Sequence, residues 1–173
     1  MDESSDEPPQ RMCRSGVIEF LDPDRLLDDQ ASHWIRQSAS LAEKAMSLYG
    51  EVRVRLLDDA AMAQAHLRYL DEPGPTDVLT FDMTEPGMGL DVDILVCVDE
   101  ARRQAAVLGH ETAQEILLYV IHGVLHCLGY DDHDEASARA MHAEEDRVLE
   151  AIGVGAVYAP GSTTADSIER DSI

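Results

Sequence analysis

A chain of 173 residues with 45% hydrophobic content is large enough to bury its own core, since folding at this size removes roughly 70% of the unfolded surface from water without help from a metal or disulfide. A formal net charge of −22 argues against nucleic-acid binding through a broadly basic surface, and the longest apolar runs, such as Ile116 to Ile121, are far shorter than the roughly 20 residues that span a bilayer. Three cysteines, Cys13, Cys97 and Cys127, include no Cys-x-x-Cys pair and suit a reducing compartment better than a disulfide framework.

Residues 1–14 are polar, acidic and proline-bearing, with Asp2, Glu3, Asp6 and Glu7 leading into Pro8 and Pro9. That composition predicts a disordered tail and lacks the basic-then-apolar layout of a secretory signal, so the expectation is a cytoplasmic protein with no membrane partner. Residues 15–155 carry the periodic patterns of one domain. Gly16 to Phe20 predicts a strand, and Asp24 to about Leu48 predicts a helix closed by Gly50, on the spacing of Leu26, Leu27, Trp34, Ile35, Leu41, Ala45 and Leu48. Glu51 to Leu57 alternates, Val52, Val54 and Leu56 against Arg53 and Arg55, which predicts a half-buried strand. The two arginines give one strand face positive groups suited to backbone phosphate.

Asp58 or Asp59 caps a predicted short helix to about Tyr69, and Pro73-Gly-Pro75 then breaks the chain before strands at Asp77–Phe81 and Asp91–Val98. A helix at about 99–108 follows, then one opened by a Thr112-x-x-Glu115 capping-box pattern, then one at about 134–151 with Asp134 as cap and Gly153 beyond its end. The acidic residues Glu144, Glu145 and Asp146 on that last helix are expected on a solvated face. Residues 156–173 lack apolar periodicity and predict a second disordered tail. The order βαβαββααα predicts an α+β fold, a small mixed sheet flanked by helices.

Chemistry concentrates in His122-Gly-Val-Leu-His126-Cys-Leu-Gly-Tyr-Asp-Asp-His133. Residues four apart share a helix face, so His122 and His126 can present two nitrogens to one cation, and Gly129 lets the chain turn back with His133 as a third imidazole. Three protein ligands leave a fourth position open, the layout of a catalytic zinc site, and zinc is the default ion for neutral imidazoles with no redox partner in sight. A zinc peptidase would need glutamate beside the first histidine, where this chain has Gly123. Cys127 points to another side of the helix and is expected as a small buried hydrophobe.

His122, Gly123, Leu125, His126, Gly129, Tyr130 and Asp131 match in order the signature His-Gly-x-Leu-His-x-x-Gly-Tyr-Asp-His of the YbeY-type endoribonucleases, the rRNA maturation factors. Pro75-Thr-Asp-Val-Leu-Thr-Phe81 resembles that family's Pro-Thr-Asp-Val-Leu-Ser-Phe, Asp93-Ile94 stands where it has Gly-Asp-Ile, and the resemblance extends over about Val17 to Gly153. The resemblance implies a zinc-dependent, single-strand-specific endoribonuclease acting in 16S 3′-end maturation and ribosome quality control. It also implies His122, His126 and His133 as ligands of one zinc ion, His122 serving catalysis too, and Thr76 and Asp77 at the substrate cleft; Arg53 and Arg55, from their strand face, are further candidate substrate contacts. Its partners would be ribosomal RNA, the ribosomal particle and ribosomal or assembly proteins, with no DNA.

Two positions depart from the family. Six residues, not five, separate His126 from His133, so an ungapped match puts Asp132 in the third ligand place; His133 is favoured here, with a site of two histidines and one carboxylate as the alternative. Leu70 occupies the place of an arginine that serves cleavage in the family, and Arg68, two residues earlier, is the candidate to replace it. Two other functions remain open: a metal-dependent hydrolase of another substrate, such as a metalloendopeptidase, and a non-catalytic ribosome-assembly factor with structural zinc.

Overall fold

The computed structural model describes residues 16–157. Both predicted tails lie outside that range, except Ala156 and Val157. The elements are β1 (Val17–Leu21), α1 (Asp29–Ala45), β2 (Gly50–Leu57), α2 (Asp59–Leu70), β3 (Val78–Asp82), β4 (Leu90–Cys97), α3 (Val98–Leu108), α4 (Thr112–Cys127) and α5 (Glu135–Ala151), in the order read from the sequence. The strands form one sheet ordered β1-β2-β4-β3, with β1, β2 and β4 parallel and β3 antiparallel on the β4 edge. The fold is therefore α+β with a mixed sheet.

Side chains alternate across a strand, and here the alternation builds two unequal layers. Ile18, Val52 and Val92 stand in register on one face, as do Phe20, Val54 and Ile94, and all are buried. That face packs with α1, α4 and α5 residues in the main core. On the opposite face α2 covers a smaller cluster of Leu57, Met62, Leu79 and Cys97, with Leu70 and Phe81 against it. Among the described residues, no helix is long and apolar enough to cross a membrane.

The centre of the main layer is α4, in which Ala113 and every residue from Glu115 to Leu125 are buried. A helix apolar nearly all round is stable only when neighbours surround it, and α1, α3, α5 and the β3–β4 edge do so. Gly123 sets its approach to the sheet: a Cβ there would lie 2.6 Å from Thr80 Oγ1 and 3.3 Å from Ile94 Cδ1. Any side chain at that position, a peptidase's glutamate included, would have to displace Thr80 Oγ1.

Local hydrogen bonds move three predicted boundaries. Leu26 and Leu27 carry apolar spacing but precede the helix, because Asp22 accepts their backbone N–H groups and Asp28 provides the α1 cap. The helix ends before Leu48, so Gly50 opens β2 with φ +120° instead of closing α1. The capping box of α4 joins Glu111 and Gln114, not Thr112 and Glu115. Glu115 turns inward, fully buried, with its Oε2 2.7 Å from His110 Nε2.

The Gly123 contact yields a double-variant prediction. Gly123→Ala is expected to lower stability by about 1–3 kcal/mol through overpacking. Thr80→Ala in the same chain should recover much of the loss, because the next Thr80 atom, Cβ, lies 3.8 Å away at ordinary contact distance. Urea unfolding of the two single variants and the double variant measures it, and additive losses would refute the contact.

Candidate metal centre

Glycine at the end of α4 shapes the site. Gly129, at φ +94°, turns the chain in the left-handed region, with its N–H on His126 O and the Tyr130 N–H on Leu125 O. That turn brings the Tyr130 carbonyl to 3.2 Å from His126 Nδ1. Asp131 Oδ1 accepts the Asp132 and His133 N–H groups, and Asp134 caps α5 through Ala136 N and Ser137 N. The second helix then runs back along α4, so Glu145 Oε1 lies 2.8 Å from His122 Nδ1.

These partners assign the tautomers. A carbonyl oxygen only accepts, so His126 Nδ1 must carry the hydrogen; an ionised Glu145 carboxylate makes the same demand on His122 Nδ1. Each ring then directs an Nε2 lone pair into the same space, and the two Nε2 atoms are 3.1 Å apart. Two lone pairs at that distance repel unless a positive charge lies between them. Asp132 supplies matching negative charge, its Oδ2 3.8 Å from His122 Nε2 and its Oδ1 3.8 Å from His126 Nε2. Burial, and then the neighbouring His122 ring, hold the His126 imidazole below its ordinary pKa and so favour the neutral, ligating form. His122, His126 and Asp132 therefore form a group able to hold a metal ion.

The third imidazole of the sequence reading lies elsewhere. His133 is 74% exposed at its side chain and sets Nε2 3.4 Å from Asp131 Oδ1, while Asp132 takes the place beside the helix pair. His133 does share a more exposed group with Asp131 and Asp132. The extra residue in the turn thus moves the histidine outward and the carboxylate inward, the arrangement that the ungapped count gives.

The other candidate residues are not members of this group. Arg53 points from the sheet face opposite α4, where its Nε is 2.6 Å from Asp93, its Nη2 2.5 Å from Asp91 and its Nη1 3.6 Å from Glu51, so its charge is already compensated. The bonds to Asp91 and Asp93 raise its pKa. Arg55 lies on the same opposite face and is exposed. Arg68 is exposed on α2, its guanidinium carbon 5.6 Å from the centre of the Tyr69 ring, which meets Phe81 edge-on at 4.9 Å. Leu70, in the place of the family arginine, packs into the smaller core. Asp77 Oδ1 accepts from Val78 N and Thr76 Oγ1, and Asp77 O accepts from Cys97 N, so these bonds of the pair shape the entry to β3.

Sequence reasoning missed Glu145, which it placed on a solvated acidic face. The helical spacing held the signal: Met141, Glu145, Val148 and Leu149 fall on one stripe, and all are buried.

Fold and site together define an α+β domain with a candidate metal centre mounted on a helix and the turn that follows it. A family model described as Endoribonuclease YbeY matches residues 18–153. The Endoribonuclease YbeY of Mycobacterium tuberculosis strain H37Rv is 41% identical over 121 residues, covering 64% of this chain and 68% of the relative. That of Mycobacterium ulcerans is 44% identical over 111 residues, covering 58% and 62%. The solution structure of TM1509 from Thermotoga maritima shares the fold, with a TM-score of 0.56 over 79% of this chain and 89% of that one, at 22% identity. The chain belongs to the YbeY endoribonuclease family.

Cys127 adjoins His126 yet packs against the core, and burial, with the Asp82 charge second, pushes its thiol up to about 11. The thiolate, which is the reactive form, is therefore disfavoured at Cys127. Cobalt-loaded protein is expected to lack a thiolate charge-transfer band, and mass spectrometry should find Cys127 alkylated far more slowly than a free cysteine. Rapid alkylation would refute the burial.

Proposed function

We propose that this protein is a zinc-dependent, single-strand-specific endoribonuclease that acts in ribosomal RNA maturation, at the 16S 3′ end, in the cytoplasm. Membership of the YbeY family supports the reaction class. The observation that carries the metal dependence is the pair of Nε2 atoms 3.1 Å apart, each with its Nδ1 held by an acceptor, facing the Asp132 carboxylate.

His122, His126 and Asp132 would hold the ion in this reading. Bound there, zinc would supply Lewis-acid polarisation of a phosphoryl oxygen and bring a water's pKa to about 7. The protein's part is to hold both rings by their Nδ1 atoms, so that no ring rotation is needed when the ion arrives. Asp132 adds one negative charge, giving a net +1 centre where three imidazoles would give +2. Arg68 is the proposed cation for charge developing on the phosphate, and Thr76, Asp77 and Arg55 the proposed RNA contacts, with Arg53 able to join them only by exchanging its bonds to Asp91 and Asp93 for a phosphate. With a net charge of −22, the chain has little long-range attraction for RNA, so the ribosomal particle and its proteins are the proposed source of substrate positioning.

One observation favours a second reading. Leu70 is packed into the smaller core, so the side chain at the family's arginine position cannot serve a phosphate. On that basis the protein would be a non-catalytic assembly factor whose metal joins α4 to the turn.

The two readings separate in a cleavage assay on a single-stranded 16S 3′ precursor, free and within the small ribosomal particle, with zinc-loaded protein and its His126→Ala variant. The endoribonuclease reading expects cleavage that His126→Ala abolishes; equal cleavage by both would reveal a contaminating nuclease. Loss of thermal stability in His126→Ala with no cleavage by either protein supports the assembly factor. Zinc affinity tests the ligand set: Asp132→Ala should lose more than about tenfold, and His133→Ala should stay within about threefold of the parent. The reverse order would restore the three-imidazole site.

A further inference from the structure

Glu145 is fully buried, and its Oε1 bonds to His122 Nδ1. Its other oxygen, Oε2, is also buried and has no hydrogen-bond partner among the described residues. The stripe that carries it contains Met141, Val148 and Leu149, all buried in the main core. Removing a carboxylate from water is costly, and one imidazole bond repays only part of that cost. An apolar or amide side chain would fill the same space at lower cost, so core packing alone does not account for a glutamate here.

We infer that Glu145 is a positioning residue: from α5 it fixes the tautomer and ring orientation of His122, and its negative charge strengthens the ion-binding face that His122 shares with His126 and Asp132. The inference rests on the reading of those three residues as a metal centre, and it names a residue outside that set. Three physical effects follow from one contact. The carboxylate accepts the Nδ1 hydrogen, so the lone pair stays on Nε2. The bond prevents the ring from rotating away from His126. The buried charge makes the imidazole a better donor, as carboxylate–histidine pairs do at metal sites.

The charge balance points the same way. A dication with Asp132 alone leaves the centre at +1, and Glu145 at the back of the His122 ring brings the ensemble to neutrality. His126 has no such support, since its Nδ1 hydrogen goes to the uncharged Tyr130 carbonyl at 3.2 Å, against 2.8 Å for the Glu145 contact. The two imidazoles are therefore unequal, with His122 the more strongly held. Before metal arrives, the same buried carboxylate is a burden on folding. Affinity and metal-free stability should consequently respond in opposite directions when its charge is removed.

The test compares the full chain with Glu145→Gln, which keeps an acceptor and loses the charge, and Glu145→Leu, which loses both. Zinc and cobalt affinities are measured by competition with a chromophoric chelator, and metal-free melting temperatures by circular dichroism. Affinity is expected to fall about 10- to 100-fold, further in Glu145→Leu than in Glu145→Gln, while the metal-free melting temperature of Glu145→Gln stays level or rises. A merely structural Glu145 would lower the metal-free melting temperature and leave affinity within about threefold of the parent, and that result overturns the inference. Nitrogen-15 NMR of the parent, free of metal, gives a readout that needs no variant: His122 should carry its hydrogen on Nδ1, and an Nε2–H tautomer overturns the inference. If the parent binds neither ion, the metal centre and the role of Glu145 fall together. If the parent binds through His126 and both Glu145 variants bind equally well, only the role of Glu145 falls.

Discussion

The close approach of α4 to the β3–β4 edge is the contact on which the other arrangements depend. Gly123 makes it possible by leaving room for Thr80 Oγ1 and Ile94 Cδ1, and it stands directly after His122. A helix drawn this far inward surrounds its own polar residues with core. Glu115 and His122 are buried along with the apolar residues of α4, and Glu115 finds His110 while His122 finds Glu145. The packing that stabilises the fold thus also determines that the candidate metal-binding face opens at the helix's C-terminal end, where His126 and Cys127 emerge from full burial.

The turn after α4 converts that helix end into a site. Gly129 reverses the chain, Tyr130 returns its carbonyl to His126, and Asp132 falls opposite the two Nε2 atoms within six residues of the second histidine. No long-range contact is needed for these three relations, only the handedness of one glycine and the hydrogen bonds of one loop. The fourth relation is tertiary. Glu145 reaches His122 because Asp134 starts α5 at the point that sends it back along α4. The site therefore draws its ligands from a local segment and its support from the packing of two helices.

That division explains which parts were legible in the sequence. Strands β2 and β4 were readable because a sheet with one well-covered face leaves a period of two, as in Val52, Val54 and Leu56 against Arg53 and Arg55. His122 and His126 were readable because four-residue spacing fixes a shared face. The start of α1 was not, because Leu26 and Leu27 have helical spacing while Asp22 holds their amides in a separate turn. Glu145 was obscured by its neighbours: Glu144 faces outward to Arg147, and a run of three acids reads as surface until each is assigned a helix face. The place of Asp132 beside the imidazoles depended on one residue of turn length, a detail that hydrophobic periodicity does not record.

The distribution of charge gives the architecture its chemical sense. The sheet face away from α4 joins Arg53 to Asp91 and Asp93, so one of the chain's few cations is spent within the protein. Asp132 and Glu145 place two further anions at the imidazole pair, and a bound dication would leave that centre with no net charge. RNA approaching a chain of net charge −22 would meet repulsion over most of the surface and only local compensation at the site. Under the proposed function this is an advantage for selectivity. A nuclease with strong electrostatic attraction would bind any exposed single strand, whereas one without it acts where another surface presents the substrate. In that reading, weak intrinsic attraction for RNA, combined with a preorganised candidate metal-binding face, would confine cleavage to RNA that the particle itself delivers.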